Sequence, residues 1–281
     1  MSPTTLGIAL ALGSAGLTAA AHYIWKASGD RLVMRVMLSG FAGLFMLPVL
    51  FVVGLPSAAV WPWLLGSVAA HLGYQLAVIR AYDTLDFSLA FPIARGVLPV
   101  VSGLLGVVLL GDRISVSGWL AISLVSLGLL MIARSAGRVR IGAGLAAAAL
   151  AGALGAIYNL VDAGGVRVAD PAVQFIAWMF VLDPLAIGTV ALFSRGWAIW
   201  PRITSEWRRG ILGGGLTVLY YGAFLLSLDY LAIGIASALR ETSVFFATLL
   251  AWLALKENVP PLRWAGIALG LFGTVLIVVV A

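Results

Sequence analysis

Residues 88–133, SLAFPIARGVLPVVSGLLGVVLLGDRISVSGWLAISLVSLGLLMIA, lie without a gap over residues 233–278, IGIASALRETSVFFATLLAWLALKENVPPLRWAGIALGLFGTVLIV. Nine positions are identical, among them Arg95/Arg240, Trp119/Trp264 and Gly128/Gly273, and Asp112 falls on Glu257. Chance matches of Leu and Ile are common between apolar stretches. A charged residue and a Trp in register inside such stretches are not. The region before them matches too. His22 to Arg31 lies over Tyr158 to Arg167, which puts Lys26 on Asp162, at an offset of 136 instead of 145. The second copy therefore carries about nine extra residues, and the stretch 195–209 is the natural place for them. The chain reads as one unit made twice, residues 1–140 and 141–281, with a buried cation in each copy.

Composition says what kind of unit it is. Of 281 residues, 62% are hydrophobic and 10% charged, and the mean hydropathy is +1.10. A globular domain is roughly half apolar. Here most of the length falls in apolar runs long enough to span a bilayer as helices, without the alternating ten-residue segments of a membrane barrel. Ten spans are expected, at about 4–26, 32–53, 59–80, 88–110, 114–133, 142–163, 171–194, 210–228, 233–254 and 261–280. The first lacks a basic leader and a cleavage site, so it reads as a span and not a signal peptide.

Five spans per copy is odd, so the second copy enters the bilayer from the opposite side. The expected fold class is an all-α membrane protein, with two inverted-topology five-helix repeats around a central cavity. The linkers after odd-numbered spans, with their flanks, hold thirteen Lys and Arg, and the other side holds Arg113 and Arg167. The positive-inside rule then puts the odd linkers in the cytoplasm and both termini outside. The net charge of +6 belongs to these span ends and not to a nucleic-acid face. With no cysteine, thiolate chemistry and disulfides are excluded. No nucleophile triad or metal-ligand spacing stands out, and no cofactor is expected, so the sequence does not read as an enzyme.

A charge in mid-bilayer needs a partner or a water-filled cavity. Arg95 lies about seven residues into its span, roughly 10 Å deep at 1.5 Å per residue. Arg240 lies at the same depth from the other face. Each is a candidate for binding an anionic group, or for a structural pair; Glu241 beside Arg240 favours the structural reading there. Pro92 and Pro99 bracket Arg95, while the span of Arg240 has no proline, so the fourth span is expected to be the bent one. His71, Tyr74 and Gln75 share one face of the third span and point to a bundle interior. Tyr158, Trp178, Tyr220 and Tyr221 are further candidates for the cavity wall, or for interfacial anchors near the span ends. Asp183, followed by Pro184, is a candidate proton carrier or a permanent partner for an Arg. Lys26 and Asp162, equivalent in the two copies, are candidates for a gating ion pair or for span-end charges. Gly266, Gly270 and Gly273 permit close helix packing, within the chain or between the subunits of a homodimer; the chain is expected to work as a monomer or a homodimer.

His22, Trp25 and Lys26 ending the first span, the run Phe91 to Gly96 with Pro99, and Gly111-Asp112 carry a resemblance over the whole chain. So do Tyr158, Asp162, Gly165 and Arg167, and Leu239 to Ser243 with Leu255 to Glu257. They resemble the EamA group of the drug/metabolite transporter superfamily. The resemblance implies ten spans, two inverted repeats and an exporter of amino acids or other small metabolites; the expected site is the inner membrane, with a small-molecule substrate and the lipid bilayer as partners, and protons as a further partner if Asp183 carries one. The alternative is a non-transport component, such as a lipid-carrier flippase subunit or a sensor scaffold.

Overall fold

The structure is a computed structural model that describes residues 2–85, 87–135, 142–246, 248 and 259–280, with only the backbone for Lys26 and residues 87–89. The described residues are helical, without strands. The helices are α1 (Pro3–Ala27), α2 (Arg31–Val53), α3 (Trp61–Thr84), α4 (Phe87–Gly96), α5 (Leu98–Leu105), α6 (Val116–Ser135), α7 (Ala143–Val168), α8 (Ala172–Arg195), α9 (Trp200–Ser227), α10 (Ile233–Glu241) and α11 (Pro261–Val280). Seven stretches among the described residues are long and apolar enough to cross a membrane, one of them covering α8 and α9 together. The chain is a multi-pass membrane protein. α3 is not among those stretches, because His71, Tyr74 and Gln75 interrupt its apolar run.

Local chemistry sets several ends. Ser2 caps α1 by accepting from the Thr5 N–H, and Asp30 caps α2 by accepting from the Val33 N–H. Gly54 closes α2 at φ 69°, a conformation that disfavours side chains. A π-turn, Gly106–Leu110, follows α5 and ends on Gly111 at φ 71°. Asp112 then receives the Ile233 N–H at 2.7 Å and the Arg167 guanidinium at 2.7 Å.

Two features differ from the sequence reading. The stretch 195–209, expected as a linker, is helical: a 3-10 turn (Gly196–Ile199) runs into α9, which starts at Trp200 and not near residue 210. Its periodic Trp and Arg side chains let it continue as a helix while staying exposed. The ninth span is also broken, although it has no proline. α10 ends at Glu241 and a turn at Thr242 interrupts the helix. The Thr242 hydroxyl donates to the Leu239 carbonyl at 2.7 Å, the kind of side-chain bond that bends a helix. The break in the fourth span falls at Val97, the position equivalent to Thr242. The equivalences of Leu249, Leu250, Leu255 and Glu257 lie outside the described residues, as do Arg138 and Arg140.

α6 packs along α11, α3 along α7, α1 along α9, and α2 between α8 and α9. α5 meets α10, and α4 meets α6 and α7. The α6–α11 crossing depends on glycine. A Cβ on Gly128 would stand 2.5 Å from the Gly266 carbonyl, and one on Gly266 would stand 2.6 Å from the Gly128 carbonyl. Gly273 similarly faces the Ala121 carbonyl. These contacts are internal to the chain. Two sets of loop contacts gather at the helix ends. Asp30 pairs with Arg195 and Arg202, and Arg31 pairs with Asp83. Elsewhere Arg167 joins Asp112 to the Leu228 and Leu231 carbonyls.

Candidate functional site

The two helix breaks put two guanidiniums side by side. Pro99 has no N–H to continue the ladder of α4, so α4 stops at Gly96 and α5 begins at Leu98. Arg95 thus occupies the last turn of α4, and Arg240 the last turn of α10, where free carbonyls favour a cation. Both are buried, at 2% and 1% exposure. They share one carboxylate: Glu241 Oε1 accepts from Arg95 Nη1 at 2.8 Å and from Arg240 Nη2 at 3.4 Å. The shorter bond goes to Arg95, so the residue next to Arg240 in sequence belongs to both cations in space.

The surroundings of the two differ. Arg95 Nη2 donates to His22 Nε2 at 3.1 Å and faces the Tyr74 hydroxyl at 3.5 Å. A guanidinium only donates, so His22 Nε2 is the acceptor. The ring is then neutral, and its Nδ1–H donates to the Tyr82 hydroxyl at 3.0 Å. Arg240 stacks on Phe224, with Cζ 3.7 Å from the ring centre, and donates to the Tyr158 hydroxyl at 3.3 Å.

Both cations line one cavity between the helices. Its wall takes His22 and Trp25 from α1, Arg35 and Ser39 from α2, His71 and Tyr74 from α3, and Tyr158 from α7. α8 contributes Phe180 and Asp183, and α9 contributes Thr217, Tyr220 and Tyr221. Asp183 is held by three donors: Arg35 at 3.3 Å, Ser39 at 2.6 Å and Gln75 Nε2 at 2.6 Å. Arg35 also lies over the Trp25 ring at 5.3 Å.

A third carboxylate sits behind the wall. Asp162 is fully buried and accepts from Ser67 Oγ at 2.5 Å, from His71 Nε2 at 3.0 Å and from the Tyr221 hydroxyl. Its partners are on α3 and α9. The expected pairing of Asp162 with Lys26 rests on a side chain outside the described residues.

The sequence candidates therefore separate. Arg95, Arg240, His71, Tyr74, Tyr158, Tyr220 and Asp183 meet on one cavity; Gln75, Glu241 and Asp162 support it from behind; Pro92 and Pro99 shape the helix that carries Arg95. Arg35, Ser39 and Thr217 join the wall without having been candidates in the sequence reading, whereas Tyr221 is one of the candidate wall aromatics. Arg35 lies near a span start and counts there as a topology charge. Its signal is Ser39 one turn on, which gives α2 a polar stripe on one face.

A sequence model of the EamA-like transporter family matches residues 142–279. Two curated relatives, from Salmonella paratyphi C (strain RKS4594) and Salmonella choleraesuis (strain SC-B67), are each described as "Probable 4-amino-4-deoxy-L-arabinose-phosphoundecaprenol flippase subunit ArnE". Each is 35% identical over 82 residues, covering 27% of this chain and 74% of the relative. A solved structure described as "Crystal structure of protein" superposes over 100% of this chain and 99% of its own, with a TM-score of 0.79 and 18% identity, a likeness of fold. The chain belongs to the EamA-like transporter family of the drug/metabolite transporter superfamily.

Proposed function

We propose that this protein is a secondary transporter of the inner membrane that exports small zwitterionic or amphipathic metabolites, amino acids among them, by alternating access. The observation that carries the reading is the convergence of Arg95 and Arg240, equivalent residues of two repeats, on one cavity that also holds Asp183. A carboxylate can be taken by the two guanidiniums, and an ammonium group by Asp183 and the aromatic wall. Several buried polar atoms here have no protein partner among the described residues: the Nε of Arg35, Arg95 and Arg240, Gln75 Oε1 and Glu241 Oε2. Of these, the guanidinium Nε atoms belong to cavity-lining residues and supply further donors for a polar ligand, whereas Gln75 and Glu241 stand behind the wall.

Alternating access needs two states of similar energy, and an inverted repeat supplies them. The helix contacts fit such an exchange. The α3–α7 contact has its counterpart in α9–α1, and α4–α7 has its counterpart in α10–α1. The contacts α2–α8 and α6–α11 map onto themselves. The matched breaks at Val97 and Thr242 are natural hinges for it. Residues 1–140 and 141–281 act as the two repeats of one transmembrane domain, with both termini outside. The wall performs binding and release without covalent chemistry.

The similarity to ArnE supports a second reading, a flippase subunit for a lipid-linked sugar. Proteoliposomes separate the two. Flux of radiolabelled amino acids above that of empty vesicles supports the first reading. Absence of such flux, with transbilayer movement of a phosphoundecaprenol-linked aminosugar, would replace it with the second.

A further inference from the structure

Of the buried carboxylates around the cavity, Asp183 and Glu241 each answer a guanidinium, whose charge is permanent. Neutralising either would strand a buried cation, which is strongly unfavourable. Among the described side chains, Asp162 answers no Arg or Lys. Its partners are an imidazole and two hydroxyls, Ser67 and Tyr221. An imidazole is the one partner that changes charge near neutral pH. The other histidine, His22, is kept neutral by the Arg95 donor at its Nε2. Asp183, the sequence's candidate proton carrier, is tied to Arg35.

Resting on the transporter reading above, we propose that His71 and Asp162 form a proton-binding site in the cavity wall, loaded together with the anionic group held by Arg95 and Arg240. His71 Nε2–H donates to Asp162 Oδ2 in either charge state. Nδ1 makes no hydrogen bond among the described residues, and the ring lines the cavity. A proton from cavity water adds to Nδ1 and gives an imidazolium–carboxylate pair. It leaves by the same nitrogen, with no other bond made or broken.

The facing groups set the sign of the coupling. From α7 come Asp162 and Tyr158, whose ring stacks on His71 at 4.4 Å; from α9 comes Tyr221. Tyr74 lies beside them on α3 and leads to Arg95 on α4. Beyond the two tyrosines stands Arg240, with Cζ 6.0 Å and 5.9 Å from their ring centres. Asp183 on α8 and Arg35 on α2 are occupied with one another and with Gln75. A proton on His71 thus adds positive charge next to Arg240, and an anion at Arg240 removes the repulsion. Anion and proton favour each other's binding, reciprocally.

The chain has two histidines, so its imidazole nitrogens can be followed by 15N NMR of the full-length protein in nanodiscs without a ligand. The expected result is one ring that takes up a proton within the pH range over which the protein stays folded. It is missing in His71→Gln, and the His22 ring stays neutral. In Asp162→Asn, His71 stays uncharged through that range. A His71 that keeps one state throughout, or an Asp162→Asn variant that titrates like the wild type, overturns the site. In vesicles loaded with a pH indicator, amino-acid flux should carry protons in its own direction, and an unchanged lumen pH overturns the co-loading. A titrating His71 in a protein that moves no amino acid defeats the transport reading and leaves the proton site standing.

Discussion

Glu241 is the residue on which the cavity's charge balance turns. One of its oxygens serves two buried guanidiniums, Arg95 at 2.8 Å and Arg240 at 3.4 Å. Glu241→Gln keeps the shape and removes the charge, leaving two cations in a low-dielectric interior. Breaking a buried pair from one side costs about 3–5 kcal/mol. Thermal unfolding in detergent should show a clear fall in Tm for Glu241→Gln, and partial recovery in Glu241→Gln/Arg95→Gln. An unchanged Tm for the single variant would mean that Glu241 does not hold this pair.

Helices do two separate jobs in this chain. α4 and α10 stop one residue after Arg95 and Arg240 respectively, one through proline chemistry and the other through a threonine hydroxyl, and so aim the cations into the cavity. α6 and α11 form a close-packed pair on glycine. With backbone atoms facing Gly128 at 2.5–3.0 Å, a side chain there forces the helices apart. Overpacking of this kind costs about 1–3 kcal/mol or more. Gly128→Leu should lower Tm and yield, whereas Leu127→Ala, on the exposed face of the same helix, should leave both near the wild-type values. Equal behaviour of the two variants would remove α6–α11 as a tight contact.

At the scale of the whole molecule, the sequence makes the helical membrane class and the charged and polar heart of the cavity legible, because a charged or polar group in an apolar run is expensive and therefore informative. Arg95, Arg240, His71, Tyr74 and Asp183 stand out on that ground alone and meet on one wall. Arg35 is hidden, because a cation near a span start has an ordinary explanation at the membrane surface. The break at Thr242 is hidden too: a threonine bends a helix only if its hydroxyl turns to its own backbone, which a sequence does not record. The helical course of 196–209 follows from the spacing of its Trp and Arg residues, which a search for apolar spans passes over. Pairing is the least legible level. Glu241 is adjacent to Arg240 in sequence, yet its shorter bond reaches Arg95 across 146 positions.

The substrate-binding role proposed for Arg95 is open to a direct test by amino-acid flux in proteoliposomes. Wild-type protein and Arg95→Ala should be reconstituted at equal amounts, each with a cooperative melt that establishes folding. Wild-type protein should show flux, and Arg95→Ala should fall to the level of empty vesicles. Wild-type flux from a folded Arg95→Ala protein would contradict it.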